Sequence, residues 1–89
     1  MIIALDYDKT YTADKLMWGR FCAIAENLGH TIVCLTMRYN NDEEKLSNLP
    51  VSKIYYTSRK AKLIWAKENN IHVDIWIDDN PGWLFEDAI

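Results

Sequence analysis

Two unbroken apolar runs constrain this chain more than any other feature. Ile2–Leu5 ends on Asp6, and Thr31–Leu35 ends on Thr36. A run without polar alternation suits a strand covered on both faces, as in the middle of a parallel sheet. Between the runs, Met17, Phe21, Ile24 and Leu28 recur at spacings of four, three and four, which predicts a helical face. Thr12 or Asp14 is placed to cap its start, and Gly29 to end it in a left-handed conformation. Lys53–Tyr56 and Val73–Ile77 read as two further strands. Both carry polar residues among the apolar ones, which places them at sheet edges.

A second helix is expected over Arg59–Asn70, with Ala61, Ile64 and Trp65 inward and Ser58 as its N-cap. A short one is expected over Asp42–Leu49, stopped by Pro50, and another after Asn80 with Pro81 at its first position. Alternating strands and helices mean parallel pairing with right-handed crossovers. With the two apolar strands central and the mixed ones outside, the order is 3-2-1-4. The chain then folds as a single α/β, Rossmann-like, three-layer domain over residues 1–89. The crevice between strands 1 and 4 is the topological switch point, where open α/β sheets bind ligands.

Composition excludes several function classes. Four Trp, five Tyr and two Phe in 89 residues are too much aromatic surface for a solvated coil. A net charge of −3 and a pI of about 5.2 leave no basic excess for coating nucleic acid. No apolar run approaches the roughly 20 residues of a membrane span. Asp6 interrupts the N-terminal apolar run and no basic segment precedes it, so a signal peptide is not expected. Cys22 and Cys34 both sit in apolar surroundings and read as buried free thiols of a cytoplasmic protein rather than a disulfide framework. His30 and His72 read as surface residues, and Trp18, Trp65 and Trp76 as core.

The polar residues at the strand ends carry the chemistry. Asp6 and Asp8 follow strand 1, and Asp78 and Asp79 follow strand 4. Neighbouring strands lie about 4.8 Å apart, so four formal negative charges meet in one crevice. Carboxylates this close either raise one another's pKa or hold a cation. Oxygen-only ligands with room for water suit Mg²⁺. Arg59, Lys60 and Lys62 fall in the first turn of the expected second helix, where the helix dipole disfavours positive charge. A lysine bridging a carboxylate and a phosphate offsets that penalty.

The run Asp6-Tyr7-Asp8-Lys9-Thr10 is an Asp-x-Asp-x-Thr motif directly after a strand. Thr36 closes strand 2, Lys60 and Lys62 stand ahead of strand 4, and Asp78-Asp79 end it. In this order these features resemble motifs I to IV of the haloacid dehalogenase (HAD) superfamily of phosphatases, covering residues 6 to 79. The family often has Gly at the position of Lys9. The cap domain that many members insert has no room here, so the chain most resembles the small cap-less members, including those of bacteriophages.

That resemblance implies a Mg²⁺-dependent phosphohydrolase working through an aspartyl-phosphate on Asp6. Asp8 would be the general acid and then the base. Mg²⁺ would be held by the Asp6 carboxylate, the Asp8 backbone carbonyl and one of Asp78 and Asp79, with Asp79 leading. Thr36 would donate to a phosphoryl oxygen, and Lys62, preferred over Lys60, would bridge carboxylate and phosphate. Thr10, Arg38 and Lys60 are assigned to substrate binding, and Trp83 is a candidate for the mouth of the site. Without a cap, the site is either open to a bulky phosphorylated substrate (a nucleic-acid end, nucleotide or phosphoprotein) or closed by a second subunit. The alternative is a metal-binding module with the same fold and little turnover, acting as a partner or regulatory protein. A receiver-like phospho-acceptor is not favoured, because strand 3 ends in Tyr56-Thr57 rather than an acidic acceptor.

Overall fold

The structure, a computed structural model, describes residues 1–40, 46 and 48–88. Among these, four strands form one all-parallel sheet: β1 (Ile2–Leu5), β2 (Thr31–Thr36), β3 (Lys53–Tyr56) and β4 (Ile75–Ile77), in the order β3-β2-β1-β4. The apolar runs are central and the mixed strands are edges, as their patterns require. Leu5 sits level with Cys34 on one side and Ile77 on the other. Asp6, Thr36 and Asp78 therefore leave the sheet at the same end.

The two faces of the sheet carry separate cores. Ile3, Leu5 and Ile32 pack with Cys22 and Ala25 of α1 (Lys15–Asn27). Ala4, Val33 and Leu35 pack on the opposite face with Trp65 of α2 (Lys62–Glu68). Each fully buried Leu, Ile or Val contributes about 1.5–3 kcal/mol relative to exposure. Trp18, Trp65 and Trp76 are half-buried and pack against these cores. Among the described residues, no helix is long and apolar enough to cross a membrane.

α1 begins at Asp14, whose Oδ1 accepts from the Met17 N–H at 3.0 Å. It ends at Gly29, with φ of 91°, where the Gly29 N–H bonds Glu26 and the His30 N–H bonds Ala25. That bond pair is a Schellman closure. α2 closes in the same way with Asn70 at φ 56°.

The structure corrects several expectations. Met17, Ile24 and Leu28 are 48, 63 and 70% exposed, so the 4-3-4 stripe is a flank of α1 rather than its buried face. Of the stripe only Phe21 packs on the core; Trp18, Cys22 and Ala25 face the sheet with it, and the small Cys22 and Ala25 are the buried ones. α2 starts at Lys62, not Arg59. Ser58 and Arg59 are both left-handed and cannot continue a helix, so Ser58 is not the N-cap. Ile64 is exposed, and Lys62 and Ala66 are the buried α2 residues. β4 starts at Ile75 because Val73 and Trp76 lie on the same side of the sheet, which breaks strand parity at Asp74. Beyond Asn80 stands a single 3₁₀ turn, Pro81–Leu84, with Pro81 at its start. Of the helix expected over Asp42–Leu49, residues 42–45 and 47 lie outside the described residues, while Leu46, Asn48 and Leu49 are not helical.

Candidate functional site

Where β1 stops, its chain turns sharply. The Tyr11 and Thr12 N–H groups bond back to the Asp6 and Tyr7 carbonyls, and Lys9 takes φ of 65°, a left-handed conformation that favours glycine. This turn holds Asp6 at the sheet end, where it is 8% exposed. Its two oxygens have different partners. Oδ1 accepts from Lys62 Nζ at 2.6 Å, and Oδ2 accepts from the Thr10 hydroxyl at 3.0 Å. The same ammonium donates to Asp78 Oδ2, also at 2.6 Å.

Lys62 is therefore a buried cation, 3% exposed, clamped between the carboxylates that end β1 and β4. Burial pushes its pKa down, but the bonds and charges of Asp6 and Asp78 more than offset this and hold it above the usual lysine range. Burial pushes Asp6 up, the Lys62 bond and charge pull it down, and the Asp78 charge pushes it up again, leaving it at about 6. One ammonium does not neutralise three carboxylates: ligand oxygens of Asp6, Asp78 and Asp79 all lie within 4.8 Å of one another. Octahedral Mg²⁺ at 2.0–2.1 Å sets opposed oxygens about 4 Å and adjacent ones about 3 Å apart, so these three carboxylates would draw in by up to about 2 Å to hold a hard cation.

Thr10 does a different job from the one its motif position suggests. Its hydroxyl donates to Asp6 and accepts from the Asp79 N–H at 3.1 Å, tying the β1 turn to the β4 turn. It stands behind the carboxylates and does not line the cavity. Asp78 is fixed further by its own turn, where Oδ1 accepts from the Asn80 N–H at 3.0 Å.

In front of the carboxylates lies a cavity of about 240 Å³. Asp6, Asp8, Thr36, Lys62, Asp78 and Asp79 line it, with Lys9, Met37, Arg59, Asn80, Trp83 and Ala88 completing its wall. It is smaller than the pockets that enclose drug-sized ligands, about 300–1,000 Å³. Asp8, with its side chain 52% exposed, makes a forked pair with Arg38: Nε to Oδ2 at 3.0 Å and Nη2 to Oδ1 at 2.8 Å. That pair holds the Asp8 carboxyl below the usual range against the opposing effect of burial. The Arg38 guanidinium lies 5.3 Å from the centre of the Tyr7 ring.

Six of the expected site residues thus share one cavity, and three do not line it. Thr10 is behind it, Arg38 sits on Asp8 at its edge, and Lys60 is exposed on the neighbouring groove. Lys62 and Lys60 separate because the loop before α2 is not helical. Arg59, given no role from the sequence, lines the cavity. Its position depends on two successive left-handed non-glycine residues, Ser58 at φ 54° and Arg59 at φ 70°, each costing about 1–2 kcal/mol. No glycine marks that strain, so the sequence does not announce it. Trp83 does reach the mouth of the cavity. Cys22 and Cys34 are free and buried, with burial pushing the Cys34 thiol up to about 12.

No protein-family model, curated protein or solved structure matches the chain.

Proposed function

We propose that the chain is a Mg²⁺-dependent phosphohydrolase of the HAD type that works through an aspartyl-phosphate on Asp6. The observation that carries this reading is the Asp6–Lys62–Asp78 clamp, with Asp79, Asp8 and Thr36 on the same small cavity at the sheet's switch point. A fold gains little from burying an ammonium among three carboxylates, since an apolar replacement is often as stable. The left-handed Lys9 also supports the reading, because that is where the resembled family often has glycine.

Asp6 is the nucleophile: one of its oxygens attacks phosphorus, and the bond from phosphorus to the alcohol oxygen breaks. Asp8 gives that oxygen its proton. As a carboxylate it then takes a proton from the water that attacks the aspartyl-phosphate, releasing phosphate and restoring Asp6. Lys62 and the Thr36 hydroxyl donate to phosphoryl oxygens, where fixed donors act on developing charge. Mg²⁺ would be held by Asp6, the Asp8 carbonyl and Asp79, and would supply neutralisation of the phosphoryl charge. Asp79 suits that place better than Asp78, whose Oδ2 is committed to Lys62. Asp8 can act as an acid only when Arg38 lets go of it, and a phosphate is a competing forked partner for the guanidinium. This gives Arg38 a substrate-linked role.

The same Arg38–Asp8 pair favours a second reading, because it keeps the acid ionised. A metal-binding module with little turnover would have no need to break it. Phosphate release from a panel of phosphorylated compounds, with Mg²⁺ and with EDTA, separates the two. A phosphohydrolase releases phosphate only with Mg²⁺, whereas a binding module takes up Mg²⁺ and releases none.

A further inference from the structure

The cavity, at about 240 Å³, has room for a phosphoryl group and little of a larger substrate, and it opens into a second depression of about 800 Å³. Arg59, Trp83 and Ala88 line both, so the two are continuous. Resting on the phosphohydrolase reading, we propose that this groove receives the terminal nucleotide of a phosphate-ended nucleic acid. The base stacks on Trp83 and Tyr39, and the next phosphate lies against Arg59 and Lys60.

Three observations carry this. Two large aromatic rings, Tyr39 at 44% and Trp83 at 36% exposure, stand open in the groove. Exposed aromatic faces beside cations are how single-stranded ends are gripped, because every base has a π-face. The groove is also basic in a chain of net charge −3. Arg59 and Lys60 have no carboxylate partner among the described residues, and the lone acid, Asp87, spends its Oδ1 on the Ala61 N–H at 2.7 Å. The Arg59 guanidinium lies 6.0 Å from the centre of the Tyr39 ring.

The third observation is the strained loop itself. Left-handed Ser58 and Arg59 are held by the Arg59 N–H on the Met37 carbonyl, the Ala88 N–H on the Arg59 carbonyl and the Thr57 hydroxyl on the Lys60 carbonyl, each at 2.8 Å. Strain so firmly over-determined is typical of ligand clamps. Here it presents two cations beside two rings. Every nucleic-acid end offers a base and a second phosphate together at that distance, whatever its sequence, whereas a phosphopeptide does so only with particular flanking residues. The absence of an overall basic excess fits a grip on one end rather than on a long tract.

The test compares p-nitrophenyl phosphate, a phosphotyrosyl peptide and short single-stranded oligonucleotides ending in 5′- or 3′-phosphate, all with Mg²⁺. The expected kcat/KM is at least tenfold higher for one phosphate-ended oligonucleotide than for p-nitrophenyl phosphate. Tyr39→Ala and Trp83→Ala, each tested separately, should cut that preference about five- to tenfold or more. In parallel, the Asp6→Asn protein should bind a fluorescent phosphate-ended oligonucleotide at least fivefold more tightly than its hydroxyl-ended counterpart. Turnover of p-nitrophenyl phosphate or the peptide with no oligonucleotide preference overturns this proposal and leaves the phosphohydrolase reading standing. Selective binding without turnover of any compound supports the groove and overturns the phosphohydrolase. Equal binding of both oligonucleotides, or binding that Tyr39→Ala and Trp83→Ala leave unchanged, overturns the proposal that the groove seats a phosphate-ended strand.

Discussion

Replacing Asp6 by Asn should narrow the stability gap between variant and wild type as the pH rises in the absence of metal, by an amount set by the crowding at the sheet end. Burial and the Asp78 charge outweigh the pull of Lys62 and move the Asp6 pKa from 3.8 to about 6. The folded state therefore binds this proton more tightly than the unfolded state. Between those values the unfolded chain has lost the proton while the folded chain keeps it, so stability falls as pH rises. At roughly 1.4 kcal/mol per pH unit, the loss is about 3 kcal/mol above pH 6. Asn has no proton to lose. Removing one clamp partner costs stability at every pH, but the difference between variant and wild type should drift by roughly 2–3 kcal/mol in the variant's favour from pH 4 to 7. For a domain of this size that drift exceeds about 10 °C in melting temperature. Thermal melts followed by far-UV circular dichroism in EDTA read it directly. A difference that stays constant from pH 4 to 7 would refute the crowding account of Asp6.

Three further outcomes follow from the same geometry. At neutral pH, Mg²⁺ at a hundredfold excess over its Kd should add about 2.7 kcal/mol, a rise in melting temperature that Asp79→Ala mostly abolishes; identical melts with Mg²⁺ and EDTA would count against a cation at this site. Lys62→Met keeps the chain volume but leaves Asp6 and Asp78 facing each other, so it should cost about 3–5 kcal/mol in EDTA and lower kcat at least about a hundredfold in steady-state assays. Arg38→Ala frees Asp8 from the partner that depresses its pKa, so the alkaline limb of the kcat–pH profile, where the general acid loses its proton, should move upward; an unmoved limb would separate Asp8 from acid catalysis.

The sheet was legible because its signals are local. Ile2–Leu5 and Ile32–Leu35 have no polar residue to turn outward, and only central strands accept that. From the strand order alone, Asp6 and Asp78 had to meet. The α1 stripe misled because two apolar faces share one helix: spacing ranks Met17, Ile24 and Leu28, whereas close approach to the sheet selects Cys22 and Ala25. The start of α2 was hidden because its determinants are distant. Asp87 accepts from the Ala61 N–H, and the Met37 and Arg38 carbonyls hold Ser58 and Arg59 in left-handed geometry with no glycine to betray it. The Arg38–Asp8 pair joins residues 30 apart in sequence through adjacent strand ends, which no local pattern encodes.

The central claim is that Asp6 is phosphorylated. A single-turnover reaction with a phosphate ester that the protein hydrolyses in Mg²⁺, quenched in acid and mapped by peptide mass spectrometry, tests it directly. The account predicts a phosphoryl group on the peptide containing Asp6, formed only with Mg²⁺, released by hydroxylamine as an acyl phosphate, and missing from Asp6→Asn. Phosphate release that proceeds in Asp6→Asn, or a label on any other residue, would contradict it.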